Sequence, residues 1–389
     1  MSRPRLLALL GLGLAALALR PQLTGIGPLL PDMQRDLGIS HTVAGLLPAI
    51  PILCMSVFAP PAAYLSGWIG ARGALALCLG TIGAAGLARA FCPGAVGVVA
   101  LTIPVGVGMG IAGALVPVAV KERFADRPAF ATGVYATGIN VGSALSAAVA
   151  VPVAHAAGGW RASLAVYSVL AAVLVPVWLL LTRGGAERVA YVRPPRLPIR
   201  SGIGWLLALL LGLDSMVFYG VNSWLPSAYV ERGWSEATAG ALLATVHFSA
   251  IPASLLIPWL ADRGGSRRLY LTGSALLMLA GTLGIVLLPA AGFAWAVCVG
   301  AAIGAVWPII LTLPLDLAAR PGDVGALAGL MLAGGYLMAA VSPLLLGAVR
   351  DATGSFSDSL WLLVAISAGL VAVCGPFSRA RVAAAARPN

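Results

Sequence analysis

Arg20 stands inside Leu17-Ala18-Leu19-Arg20-Pro21-Gln22-Leu23-Thr24-Gly25-Ile26-Gly27-Pro28, a stretch that is otherwise apolar. A guanidinium stays protonated and offers forked donors to a small planar anion, so this position could hold an anionic or strongly dipolar solute. Two other ionisable residues lie deep in apolar runs, Asp214 and His247. Asp214 could exchange protons or act as a counter-ion to Arg20, and His247 could relay protons near neutral pH. A structural ion pair between Arg20 and Asp214, or a packing role for each, is the competing reading. Pro21 removes one helical donor and frees the carbonyl of Leu17, which also calls for local polar repair. Thr24 falls on the helical face of Arg20, and Gln22 does so only if Pro21 distorts the turn. Tyr135, Asn140, Tyr219, Asn222, Trp307 and Tyr336 carry polar tips near mid-depth of their runs. Each either lines a cavity or bonds between helices.

These residues matter only if the runs holding them cross a membrane. The composition is 60% hydrophobic and 10% charged, and mean hydropathy is +0.97. That leaves too little charge to cover a soluble chain of this length. Apolar runs of roughly 20 residues recur throughout, each enough to cross about 30 Å of hydrocarbon as a helix. At the centre of such a span a charge costs about 2.5–3.5 kcal/mol, which makes Arg20 expensive to keep. Arg3, Arg5 and residues 6–19 have the outline of a signal peptide, but the apolar pattern resumes after Arg20, so the first span is expected to stay.

Twelve spans are expected: 4–30, 43–65, 74–91, 96–120, 129–153, 161–182, 202–226, 237–261, 269–289, 293–316, 325–349 and 359–377. With the N-terminus in the cytoplasm, 18 of the 24 Lys and Arg fall inside, and Arg35, Arg89, Arg161, Arg232 and Arg350 fall outside. That excess orients the chain in the cell membrane with both termini cytoplasmic. It also accounts for the net charge of +11 without nucleic acid as a partner. The expected fold is all-α and polytopic: a bundle at 1–182, a cytoplasmic linker at 183–201 and a second bundle at 202–389.

The two halves repeat at an offset of 195: Pro31 with Pro226, Ala44-Gly45 with Ala239-Gly240, Leu47 with Leu242, Gly70 with Gly265, Arg72 with Arg267. Parallel six-span halves are the pattern of the major facilitator architecture. The loop Pro258-Trp-Leu-Ala-Asp262-Arg-Gly-Gly-Ser-Arg267 resembles that family's Gly-x-Leu-Ala-Asp-Arg-x-Gly-Arg-Arg loop. Its first-half counterpart at 63–72 keeps Leu65, Gly70 and Arg72 but has Gly67 at the acidic position. The resemblance implies a cytoplasmic gate at Asp262 and Arg267, with Asp262 latching near Arg127. Arg20-Pro-Gln-Leu-Thr-Gly-Ile-Gly-Pro-Leu-Leu-Pro31, with Gly106-Val-Gly-Met-Gly110, Pro117 and Lys121-Glu-Arg-Phe124, is similar to the cyanate and nitroimidazole transporter branch. That likeness implies a secondary transporter for a cyanate-like anion, a small carboxylate or a nitro-aromatic compound, and proton-coupled uptake is the expected mode. The architecture also places Arg20 and Asp214 at similar depth on opposing walls, because Asp214 is the repeat partner of Leu19.

Alternative classes have specific requirements. Drug efflux of lipophilic cations favours a cavity acid without an adjacent arginine. A receptor or sensor needs an output domain, and the loops are too short for one. No nucleophile triad, metal cluster or nucleotide loop is present, so no enzyme activity and no cofactor are expected. The five cysteines lack disulfide or metal spacing. Gly106-x-Gly108-x-Gly110 has no preceding strand and reads as close helix packing. The chain is expected to act as a monomer in the bilayer.

Overall fold

A computed structural model describes residues 3–58, 61–124, 128–183, 197–262, 267–317 and 323–374. Hydrocarbon offers no partner to backbone N–H or C=O, so long apolar runs close their own hydrogen bonds as helices. Among the described residues every regular element is helical. The first run is α1 (Arg3–Leu19), α2 (Pro21–Thr24), a 3-10 turn (Gly27–Leu29) and α3 (Leu30–Leu37). Next come α4 (His41–Val57), α5 (Pro61–Phe91), α6 (Ala95–Arg123), α7 (Pro128–Ala157) and α8 (Trp160–Leu181). After residues 197–201 follow α9 (Gly202–Glu231), α10 (Glu236–Asp262) and α11 (Arg267–Leu287). A 3-10 turn (Pro289–Ala291) precedes α12 (Gly292–Leu317), then α13 (Val324–Thr353) and α14 (Phe356–Cys374). Eleven runs among the described residues are long and apolar enough to span, and α4 is a shorter apolar helix of 17 residues. Large apolar side chains such as Leu77, Val173, Leu255 and Trp361 remain exposed, as expected where lipid is the solvent.

Three expected boundaries move. Span one is a broken helix, because Pro21 cannot donate and the α1 ladder stops at Leu19. Span two ends at Val57, short of 65, and the predicted loop at 63–72 is helical on both sides of a kink. That kink is Gly70, at φ 74° and ψ 158°, a conformation that glycine adopts without a Cβ penalty. Arg89, expected on the outer side at the end of span three, is fully enclosed near the end of α5. Most of the predicted linker lies outside the described residues.

Packing divides the chain into two compact units, residues 1–39 with 46–194 and residues 40–45 with 195–389. The first unit is sealed by glycine contacts. A Cβ on Gly110 would lie 2.6 Å from the Cys54 carbonyl oxygen, and one on Gly108 would lie 3.0 Å from that of Cys78. The Gly106–Gly110 motif therefore brings helices to backbone distance, as its small residues imply. In the second unit Asp351 caps the first turn of α4. Its carboxylate accepts from His41 N (3.0 Å), Thr42 N (2.8 Å) and Thr42 Oγ1 (2.6 Å), and it lies 2.7 Å from His41 Nδ1. Two of the helix's orphan N–H groups are thereby satisfied.

The repeat recurs in side-chain bonding within each unit. Asp36 accepts from Trp160 Nε1 and Arg161 at the start of α8. Its partner at the same offset, Glu231, accepts from Arg350 Nε and from the Phe356 N–H that opens α14. One residue further on, at an offset of 196, Ser163 Oγ donates to the Ala150 carbonyl and Ser359 Oγ to that of Leu346. Equivalent helix ends are pinned by equivalent bonds.

Candidate functional site

The break after Leu19 turns an ordinary helix into a polar junction. Pro21 occupies the first position of α2, where a missing N–H costs least. The Arg20 carbonyl collects Leu23 N (2.9 Å), Thr24 N (2.9 Å) and Thr24 Oγ1 (3.0 Å). Pro21 has no proton for the Leu17 carbonyl. Gly142 of α7 lies against that oxygen so closely that a Cβ there would be 2.2 Å away. Gly138 makes the same approach to the Gly13 carbonyl, at 2.4 Å. These contacts set α7 on α1 and fix the ground beneath Arg20. The Arg20 side chain is half-buried, and one terminal nitrogen points at Met55 Sδ of α4, 3.9 Å away.

Gln22 and Thr24, expected beside Arg20 at the substrate, are fully enclosed and bonded to neighbouring helices. Gln22 Nε2 donates to Ser168 Oγ (2.7 Å) and to the Leu164 carbonyl (3.3 Å) on α8. Arg89 of α5 donates to Gln22 Oε1 (2.5 Å), to the Gln22 carbonyl (3.4 Å) and to Thr102 Oγ1 on α6 (3.1 Å). Gly86 leaves room for this: a Cβ there would stand 2.6 Å from both Gln22 Nε2 and Ser168 Oγ. Thr24 Oγ1 pairs with Ser146 Oγ at 2.8 Å, and Tyr167 donates to the Ser146 carbonyl at 2.8 Å. Tyr135 and Asn140 on α7 are half-buried on the helix that carries Gly138 and Gly142.

In the second unit Asp214 is almost fully enclosed, and its Oδ1 has no hydrogen-bond partner. His247 of α10 and Asn222 of α9 meet at 3.0 Å, Nε2 to Oδ1. An amide oxygen only accepts, so the bond puts a proton on Nε2. Phe218 stands edge-on to both His247 and Tyr219, with centroids 5.9 and 4.8 Å away. Asn222 Nδ2 is buried with no partner, a polar atom left available beside the imidazole. Tyr219 and Tyr336 are buried and Trp307 is half-buried.

Asp262 and Arg267 fall at the end of α10 and the start of α11. Their side chains, and Arg127 as a whole, lie outside the described residues. No group of three His, Cys, Asp or Glu among the described residues is placed to hold a metal ion.

Two bundles of long apolar helices, a repeated bonding pattern and a polar break in the first span have a match among known families. Residues 12–343 and 205–387 match the Major Facilitator Superfamily. The chain belongs to that superfamily. Among superfamily members, the cyanate transport protein CynX of Escherichia coli (strain K12) is 30% identical over 350 residues, 90% of this chain and 91% of that protein. The 2-nitroimidazole transporter of the same strain is 29% identical over 377 residues, 95% of each. A crystal structure of a D-xylose-proton symporter superposes with a TM-score of 0.79 at 16% identity, over 96% of this chain and 97% of that one. It shares the superfamily fold. The superfamily and its cyanate and nitroimidazole branch were both legible in the motifs around Arg20 and Asp262.

Sequence reading missed Arg89, Thr102, Ser146 and Ser168. Arg89 stands two residues before the end of an apolar run, where hydropathy cannot tell an outward side chain from an inward one. The available signal was the pair Gln22 and Thr102, two hydrogen-bonding side chains in separate spans with no assigned partner.

Proposed function

We propose that this member of the superfamily is a secondary transporter that takes up a small anionic or polar solute across the cell membrane, coupled to protons. The solute class is a cyanate-like anion, a small carboxylate or a nitro-aromatic compound. CynX and the 2-nitroimidazole transporter, named for solutes of these kinds, support that choice. One observation carries the reading: Arg20 stands half-buried at a proline-made break in a membrane span, while Gln22 and Thr24 on the same break are fixed to the bundle. A guanidinium on so rigid a support offers directed donors to a planar anion and loses little rotamer freedom on binding. Arg20 is the anion anchor in this reading. Asn140, Tyr135, Tyr219, Asn222, Trp307 and Tyr336 supply polar and aromatic contacts, and Asp214 and His247 serve the proton or counter-ion step. Asp262, Arg267 and Arg127 form the cytoplasmic gate, with both termini cytoplasmic.

Purified protein in liposomes, given labelled cyanate and an inward proton gradient, tests the anchor. Saturable uptake is expected to disappear in Arg20→Ala and to fall steeply in Arg20→Lys, which keeps the charge and loses the fork. Both variants should keep the native melting profile. Undiminished uptake in Arg20→Ala would end the reading.

A further inference from the structure

We propose that Arg89 is a positioning residue for the anion site, acting as a clamp that holds the Arg20–Gly25 break in one geometry. The proposal rests on Arg20 being the anchor, and adds the residue that sets where the anchor stands.

Arg89 is fully enclosed, and the partners it donates to are neutral oxygens: Gln22 Oε1, the Gln22 carbonyl and Thr102 Oγ1. Its Nε has no partner. A cation buried among neutral acceptors is costly to keep, and replacing it with an apolar side chain would be cheaper for stability alone. What the charge provides here is direction. One terminal nitrogen grips both the backbone and the side chain of the same residue, two positions after Arg20. The other fastens that residue to α6, and Gln22 Nε2 carries the connection on to α8. A break made by proline has lost a ladder bond and tends to flex, so its angle must be set by contacts from outside the helix. The clamp meets the break from α5, α6 and α8, and the Thr24–Ser146 bond meets it from α7.

A site residue held to within about 0.5 Å needs such a supporting shell. Loss of the clamp should therefore appear as poorer solute binding, with the transport step itself little affected. In liposomes Arg89→Gln is expected to raise the KM for cyanate about tenfold, as the loss of charged hydrogen bonds implies. The maximal rate per inserted protein should stay within about threefold, and Arg89→Lys should recover part of the KM. Gln22→Ala should reproduce the shift, and Arg89→Gln combined with Gln22→Ala should add nothing further, since both changes open one clamp.

A second readout does not depend on transport. In the full chain carrying Arg20→Cys and retaining only Cys298 among the native cysteines, Arg89→Gln should change the methanethiosulfonate reaction rate at position 20 about tenfold. Cys298, half-buried on α12, should react as before. If Arg89→Gln does not reach the membrane, Gln22→Ala carries the same test. Unchanged reactivity at position 20 together with an unchanged KM would overturn the clamp. Shifted reactivity with full uptake in Arg20→Ala would retire the anchor and leave the clamp standing.

Discussion

Replacing Gly142 with alanine adds one methyl group where two helices touch through backbone. The new Cβ would sit 2.2 Å from the Leu17 carbonyl oxygen and 3.0 Å from both the carbonyl carbon and Cα of that residue. Ordinary contact begins near 3.4 Å, so α7 and α1 must part by about 1 Å at this point. No flexible side chain can give way, because every atom struck belongs to the main chain. Overpacking of this kind costs about 1–3 kcal/mol, and the rigid target places Gly142→Ala in the upper half of that range. With roughly 2–4 °C per kcal/mol for bodies of this size, the melting point should fall by about 4–12 °C. Leu17 is also three residues from Arg20, so the cyanate KM should rise along with the loss of stability. Thermal unfolding in detergent, followed by intrinsic tryptophan fluorescence, measures the first effect, and liposome uptake measures the second. Gly113→Ala, whose Cβ would meet nothing within 4 Å, is the control. A Gly142→Ala protein that melts with the native chain would refute the close approach of α7 to Leu17.

Asp351→Ala should cost about 1–2 kcal/mol by uncapping α4, read as a lower melting point, and Asp351→Asn should recover part of it because one oxygen still accepts. Asn222→Ala should destabilise by about 1–3 kcal/mol, since it leaves the His247 Nε2 proton without its Asn222 acceptor. The double change with His247→Ala should cost less than the sum of the two single changes, as a double-mutant cycle in the same melting assay will show. Asp214→Asn should abolish the dependence of uptake on the proton gradient and spare solute exchange between equal concentrations, both measured in liposomes. Gradient-driven uptake at the native rate in that variant would remove Asp214 from the coupling step.

Hydropathy made the spans legible because each has to satisfy its own backbone in lipid, and that demand is written into every run of residues. Pro21 marked the break for the same local reason, a donor that proline lacks. The glycine motif at 106–110 also read correctly, since small residues in a span have little to do except bring backbones together. Gln22 and Arg89 were harder. Both are polar, one is expected at the solute and the other at the outer end of its span, and the structure joins them at 2.5 Å. Sequence gives the depth of a residue along its helix and leaves open the direction of its side chain, which for arginine covers several ångströms. Helix ends were blurred as well. Span two is expected to run past Pro60 because the residues beyond it are as apolar as those before, whereas its helix closes at Val57 and the kink falls later, at Gly70.

The matched acids Asp36 and Glu231 show that the two halves share one skeleton, yet the position that holds Arg89 in the first half holds Gly284 in the second. Equivalent joints have therefore kept their fastenings while the interiors diverged. The first half took on buried guanidinium, and the second took on a carboxyl group and an imidazole. Such a division lets one duplicated frame change its buried polar chemistry half by half, because a substitution inside one bundle leaves the matching joint of the other untouched.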